Sequence, residues 1–257
     1  MRMTLKRTII YISLLSILCL LSSCIYLRLL KFKNQMADFD RCFQVKEDKG
    51  LTLICLKPVL YSDDIGTMLD PPTLSKKTKQ SEQWTYVFEK NYPNNIKSDK
   101  DDFDIALDLT FKGDLLNEIH LPERFLVILP KPFLIMVCKA MGNAEVNTKE
   151  RSAKGTYEQK EKETSQIKIP KQDEVLKFLG NPFVWQEDET NVQLLYEYWL
   201  KKKTAKHDNS TPCIWIEFTF QKKDGTLLKA KANLCGMKLS LNFVPDNKKD
   251  GKKPDNK

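Results

Sequence analysis

The chain has 257 residues, 41% of them hydrophobic, enough to bury the core of one large domain or two small ones, which excludes a wholly disordered protein. Its formal net charge of +8 reflects 42 Lys and Arg against 34 Asp and Glu, a mild excess that is spread out. That balance suits solubility or attraction to an anionic membrane surface and argues against a dedicated nucleic-acid reader.

The first element is a basic start, MRMTLKR, followed by an uncharged run from Thr8 to Leu27 that contains Leu21-Ser22-Ser23-Cys24. Basic residues stay on the cytoplasmic side, the apolar run enters the bilayer, and small residues before a cleavage point admit the backbone to a peptidase. The stretch resembles a bacterial lipoprotein signal: residues 1–23 form the signal peptide, the Cys24 thiol receives a diacylglycerol, and 24–37 form a membrane-proximal segment. The same run is long enough for an uncleaved membrane anchor. Either reading places the globular part in the bacterial cell envelope, tethered to a lipid bilayer. Ile25 stands where an aspartate retains some lipoproteins at the inner membrane, which favours the outer one. Arg28, Lys31 and Lys33 are expected beside lipid headgroups.

Cys19, Cys24, Cys42, Cys55, Cys138, Cys213 and Cys235 show no metal-ligand spacing, so no metal is expected. In RCFQVKEDKGLTLIC a four-residue turn, EDKG, sets Cys42 opposite Cys55. A later hairpin turning at Asp224-Gly225 brings Cys213 nearly level with Cys235. Each pair is either a disulfide, which export permits, or two small buried thiols.

From Asp63 onward the chain reads as a short helix with acidic residues at its positive end and a stop at Asp70-Pro71-Pro72, then an aromatic strand at WTYVF (84–88), then IALDLTF (105–111). The acidic SDKDDFD around Asp99 to Asp104 lacks the glycine and terminal glutamate of a calcium loop and reads as solvated. LPERFLVILPKPFLIMVCKAMGNA (121–144) predicts a buried helix from Phe133 to Met141, too short for a membrane span. Residues 145–168 are polar and mixed in charge, a linker by composition. Beyond it the earlier phrases return. Ile65, Leu69 and Pro72 match Val175, Leu179 and Pro182 at one offset, WTYVF matches YEYWL (196–200), and Leu107, Leu109, Thr110 and Phe111 match Ile216, Phe218, Thr219 and Phe220. These matches predict one unit present twice, at 38–144 with an extra hairpin and helix and at 169–244, before a disordered Lys-rich tail at 245–257.

A helix ending LG-x-P, a Y-x-Y strand, and apolar-x-apolar-x-F before a D-G turn together resemble the SmpA/OmlA (BamE-like) family of outer-membrane-assembly lipoproteins. In tandem they are similar to β-lactamase inhibitory proteins. The resemblance covers about 63–125 and 173–243, and the first copy departs from it at Asp70 and at Lys112-Gly113-Asp114. It implies an α+β fold of two repeats, each of short helices packed on one face of an antiparallel sheet, used for binding instead of chemistry.

No catalytic constellation stands out. His120 and His207 are unframed by GxSxG or HExxH, the chain has no Gly-rich phosphate cradle and no RNP pattern, and neither a cofactor nor a small-molecule substrate is expected. A binding surface is more legible. Alternation places Ile214, Ile216, Phe218 and Phe220 on one face with Tyr196, Tyr198, Leu228, Ala230, Ala232 and Leu234. The other face receives Glu197, Trp199, Trp215, Glu217, Lys229 and Lys231. Trp199 and Trp215 are the expected anchors for another envelope protein, with Glu217, Lys229 and Lys231 as charged surroundings; alternatively the linker, the tail or the other unit covers them.

Overall fold

Thirteen strands and five α-helices make up most of the described residues, which are 25–93, 103–147, 149–158, 167–201, 213–234 and 236–244 of a computed structural model. Cys24, Cys235, His207 and the Lys-rich tail lie outside them. From one sheet edge the order begins β1 (Phe43–Glu47), β2 (Gly50–Cys55), β6 (Leu115–Pro122), β5 (Ile105–Lys112) and β4 (Glu82–Lys90). It continues β10 (Asn191–Leu200), β11 (Ile214–Gln221), β12 (Leu227–Leu234), β13 (Met237–Val244), β8 (Ser152–Glu158) and β7 (Glu145–Asn147). Two short strands, β3 (Leu74–Lys77) and β9 (Val184–Glu187), pair with β4 and β10 off this path.

The expected pair of repeats, each carrying its own small antiparallel sheet, is therefore overturned by one mixed sheet. Two contacts make it so. At the centre β4 and β10 pair antiparallel, with Tyr198 opposite Lys90 and Leu200 opposite Phe88. Each would otherwise present an edge of unpaired N–H and C=O groups, and joining satisfies both. Bonds from Asn91 N–H to Glu197 O (2.8 Å) and from Lys201 N–H to Val87 O (2.8 Å) extend the seam.

The second contact is parallel. β8 runs alongside β13, Gly155 opposite Leu241 and Tyr157 opposite Phe243, so the first part of the expected linker is sheet. Ala153, Gly155 and Tyr157 alternate there with Ser152, Lys154 and Thr156. The smallness of Gly155 lets a helix approach: a Cβ there would stand 3.0 Å from Ala140 O.

The helices are α1 (Ile25–Ala37), α2 (Phe39–Cys42), α3 (Ser62–Leu69), α4 (Lys131–Gly142) and α5 (Gln172–Leu179), with a 3₁₀ turn at Glu123–Val127. None among the described residues is long and apolar enough to cross a membrane. The larger core gathers Tyr86, Phe111, Val175, Leu194, Tyr196 and Phe220, all at most 1% exposed. A second, under β1 and β2, gathers Phe39, Phe43, Leu51 and Cys138. α4 belongs to both, with Phe133 and Met136 in the first and Cys138 in the second.

Local chemistry recurs on either side of the seam. In both α3 and α5 a carboxylate in the first turn reaches back to the residue before the helix, Asp64 to Tyr61 N–H (2.9 Å) and Glu174 to Lys171 N–H (3.0 Å). Both helices end on a residue with positive φ and extended ψ, Asp70 (φ +64) and Gly180 (φ +68). A buried tyrosine hydroxyl donates to that residue's carbonyl: Tyr86 to Asp70 O (2.9 Å) and Tyr196 to Gly180 O (3.1 Å). Tyr196→Phe keeps the ring and orphans the carbonyl, so denaturant unfolding should show a loss of about 1 kcal/mol.

α1 is clamped to this body. Arg28 donates to Asp64 from Nε (2.7 Å) and Nη2 (2.5 Å), and Lys33 Nζ to Gly142 O (2.8 Å). A Cβ on Gly142 would stand 2.1 Å from Ala37 N, so only glycine fits this crossing. Arg28 and Lys33 thus face the domain, and of the three cations expected beside headgroups only Lys31 is exposed.

Candidate functional site

Because directly opposed residues share a face, the register defines a surface opposite the cores. On β10 it carries Leu195, Glu197 and Trp199; on β11, Trp215, Glu217 and Thr219; on β12, Lys229, Lys231 and Asn233. Every one is partly exposed, and none of them joins either core cluster. Glu197 faces Trp215, which faces Asn233, while Trp199 faces Glu89 across the seam. Trp199 and Trp215 are therefore diagonal neighbours, with Cβ atoms roughly 7 Å apart by strand geometry.

The core-facing side differs at one point. A β-bulge between Thr219 and Phe220 shifts the return strand, so Leu227, and not Leu228, faces Phe220 and is buried. β5 and β6 carry the same irregularity between Thr110 and Phe111.

The charges around the indoles are already engaged. Lys231 Nζ lies 2.5 Å from Glu217 Oε1, Lys201 Nζ 2.8 Å from Glu89, and Asn91 Nδ2 donates to Glu197 (3.0 Å). Such partly exposed pairs add little stability but hold the surroundings of the tryptophans in place. Lys229, opposite Thr219 and Asn242, belongs to a more basic flank with Lys238 and Lys154, which the register carries on the same face.

A polar row across β4, β5, β6 and β2 on this face escaped sequence reading. Thr85 Oγ1 donates to Asp108 (2.5 Å), Asp108 stands opposite His120 in the strand register, and His120 Nδ1 is hydrogen-bonded to Thr52 Oγ1 (2.9 Å). Its members sit in four separate strands, so only the register assembles it. Among the described residues no three His, Cys, Asp or Glu side chains stand close enough to hold a metal ion.

Cys42 and Cys55 are free and buried, so of the two alternatives this pair takes that of small buried thiols, and the expected register is off by one. The loop between Glu47 and Leu51 holds three residues, with positive φ at Lys49 and Gly50, so Cys55 pairs with Phe43 and Cys42 ends α2. Burial, with the Glu118 charge adding, pushes the Cys55 thiol up to about 12, and burial alone pushes Cys138 to about 12; neither is a nucleophile at neutral pH. Cys213 is disulfide-bonded. Strand register sets Ile214 opposite Leu234, one step inward of Cys213.

Lys90 is the unforeseen buried cation, 5% exposed. Its ammonium donates to Leu179 O at the end of α5 and lies 4.8–5.2 Å from the ring centres of Phe103, Tyr92 and Tyr196. Burial lowers its pKa to about 8. It ties β4 to α5 across the seam, behind the sheet and away from the tryptophan face. No family model, curated protein or solved structure matches the chain.

Proposed function

We propose that the protein is a non-enzymatic envelope protein, tethered to a bilayer at its N-terminal end through a lipid on Cys24 or through the uncleaved run Thr8 to Leu27, that captures another envelope protein on the sheet face opposite the cores. The observation that carries this reading is the diagonal pair Trp199 and Trp215. They are partly exposed near the middle of a wide sheet, outside both cores, and ringed by Glu89, Glu197, Glu217 and Lys231. Aromatic side chains inside a polar rim are the anchors that protein interfaces use most. From the SmpA/OmlA resemblance the proposal keeps only the use of a sheet as a docking surface; lipidation at Cys24 rests on the lipoprotein-signal resemblance of Leu21-Ser22-Ser23-Cys24.

The test combines a variant with a crosslinker. Trp199→Ala with Trp215→Ala should leave the unfolding midpoint nearly unchanged, because neither indole packs in a core. It should weaken capture of the partner at least about tenfold, as loss of hot-spot residues does. A photocrosslinking side chain at position 217 in intact cells should yield a discrete adduct that the same group at Lys76, on exposed β3, does not. Equal adducts at both positions, or capture unaffected by the double substitution, removes the reading.

A further inference from the structure

We infer that the outward face of the first two turns of α1, formed by Tyr26, Leu27 and Leu30 with the Tyr61 ring beside it, is a lipid-contacting surface that seats the domain on a phospholipid bilayer. The inference rests on the reading of the uncharged run before Ile25 as a membrane tether.

The first support is where apolar surface is exposed. Nine large hydrophobic side chains are exposed among the described residues, and four of them are Tyr26 (59%), Leu27 (46%), Leu30 (46%) and Tyr61 (43%). Tyr61 joins the α1 residues because the Arg28 guanidinium lies 5.2 Å over its ring. A soluble monomer rarely leaves such a cluster in water without a use for it. On α1 itself the division is clean: Leu29, Phe32 and Met36 pack into the cores, while Tyr26, Leu27 and Leu30 point away.

The second support is the length of chain between the tether and the domain. The uncharged run extends from Thr8 to Leu27, so its last residues, Ile25 to Leu27, already form the first turn of a helix docked on the body. There is no slack. Arg28 is held by Asp64, Lys33 by Gly142 O, and Gln35 Nε2 donates to Lys57 O (2.9 Å). At ~1.5 Å rise per residue, Leu30 lies within about 8 Å of Ile25 along the axis. Tyr26, Leu27 and Leu30 therefore stay close to the point where the tether leaves the bilayer. Lys31, exposed on the next position, is placed to reach phosphate with its ammonium while its stem stays apolar. Because α1 is rigidly docked, this seat also fixes the orientation of the tryptophan-bearing sheet face relative to the bilayer.

The full chain reconstituted into vesicles of equimolar phosphatidylcholine and phosphatidylglycerol tests this. Leu27→Cys, Leu30→Cys and Asn34→Cys are each labelled with an environment-sensitive fluorophore. The buried thiols Cys42, Cys55 and Cys138 are shielded from the reagent, and the unsubstituted chain sets the background. The expected result is emission shifted to the blue at 27 and 30, quenching there by a nitroxide lipid, and protection from aqueous iodide at least about threefold greater than at 34. If the chain floats with the vesicles but iodide reaches all three positions equally, the seat is refuted while the tether stands. Protection from iodide without quenching by the nitroxide lipid assigns the patch to a protein contact and refutes it as well. A chain that does not float with the vesicles refutes tether and seat together.

Discussion

Asp64→Ala should destabilise the protein by about 3 kcal/mol at pH 7, since removing one partner of a buried ion pair leaves the other uncompensated. The Asp64 side chain is 3% exposed and Arg28 21%, so the stranded guanidinium regains part of its hydration, which holds the loss to the low end of the usual ~3–5 kcal/mol. The carboxylate does two jobs, accepting from Arg28 and from the Tyr61 N–H that opens α3. Burial pushes its pKa up, but the Arg28 hydrogen bond, the Tyr61 N–H and the Arg28 charge outweigh that, and the net shift is downward. A carboxyl whose folded pKa is depressed contributes stability that is complete above its unfolded pKa and disappears as pH falls through the folded one. The gap between wild type and variant in urea unfolding should therefore close on acidification. Pairing the substitution with Arg28→Met should recover part of the loss, and a gap that is under about 1 kcal/mol or indifferent to pH would show that the pair does not clamp α1.

How much of this was legible in the sequence depended on the range of the interaction. Strand faces were readable because they depend on alternation alone. In NVQLLYEYWL, Val192, Leu194, Tyr196, Tyr198 and Leu200 are buried and the residues between them are not. The boundaries of α5 follow from Asp173 and Glu174 at one end and Gly180 at the other, and its counterpart α3 stops at Asp70 in the same conformation of positive φ and extended ψ. The Cys42–Cys55 register missed by one residue because EDKG reads equally well as a three- or four-residue connection, and a single step moves a side chain off its partner.

What the sequence hid was long-range. Nothing local in Phe88-Glu89-Lys90 or in Tyr198-Trp199-Leu200 announces that these strands pair with each other. That pairing turns two expected sheets into one and sets Trp199 beside Glu89. The composition of 145–168 concealed β8, yet the alternation Ala153, Gly155, Tyr157 against Ser152, Lys154, Thr156 was there to be read; high polarity outweighed a two-residue period. The parity that put Tyr86 and Phe88 inside put Lys90 inside too, and a lysine at the end of a strand is ordinarily assumed to reach water.

That lysine gives the other large effect. Replacing Lys90 with Met removes a cation whose burial lowers its pKa from 10.5 to about 8. Between those values the unfolded chain holds the proton and the folded one does not, so the group makes the wild type gain stability as pH rises. The full change is about 3 kcal/mol, at ~1.4 kcal/mol for each tenfold difference in proton affinity. At pH 7 two terms oppose each other in the variant. The desolvation cost of the ammonium is relieved, and the bond to Leu179 O is lost along with the attraction of three aromatic faces. These are of similar size, so Lys90→Met should stay within about 1 kcal/mol of wild type at pH 7, whereas Lys90→Ala, which also empties the space between the rings, should lose about 2–4 kcal/mol. Alkali should separate the proteins further. The Cys55 and Cys138 thiols and the Tyr86, Tyr196 and Tyr198 hydroxyls, all raised by burial, withdraw stability from both as pH climbs above about 9, and subtracting one curve from the other cancels them. In that difference the methionine variant should fall behind wild type progressively from pH 8 to pH 10.5. A flat difference would mean that the Lys90 ammonium keeps its ordinary proton affinity and is hydrated, and that the seam between β4, β10 and α5 opens to water.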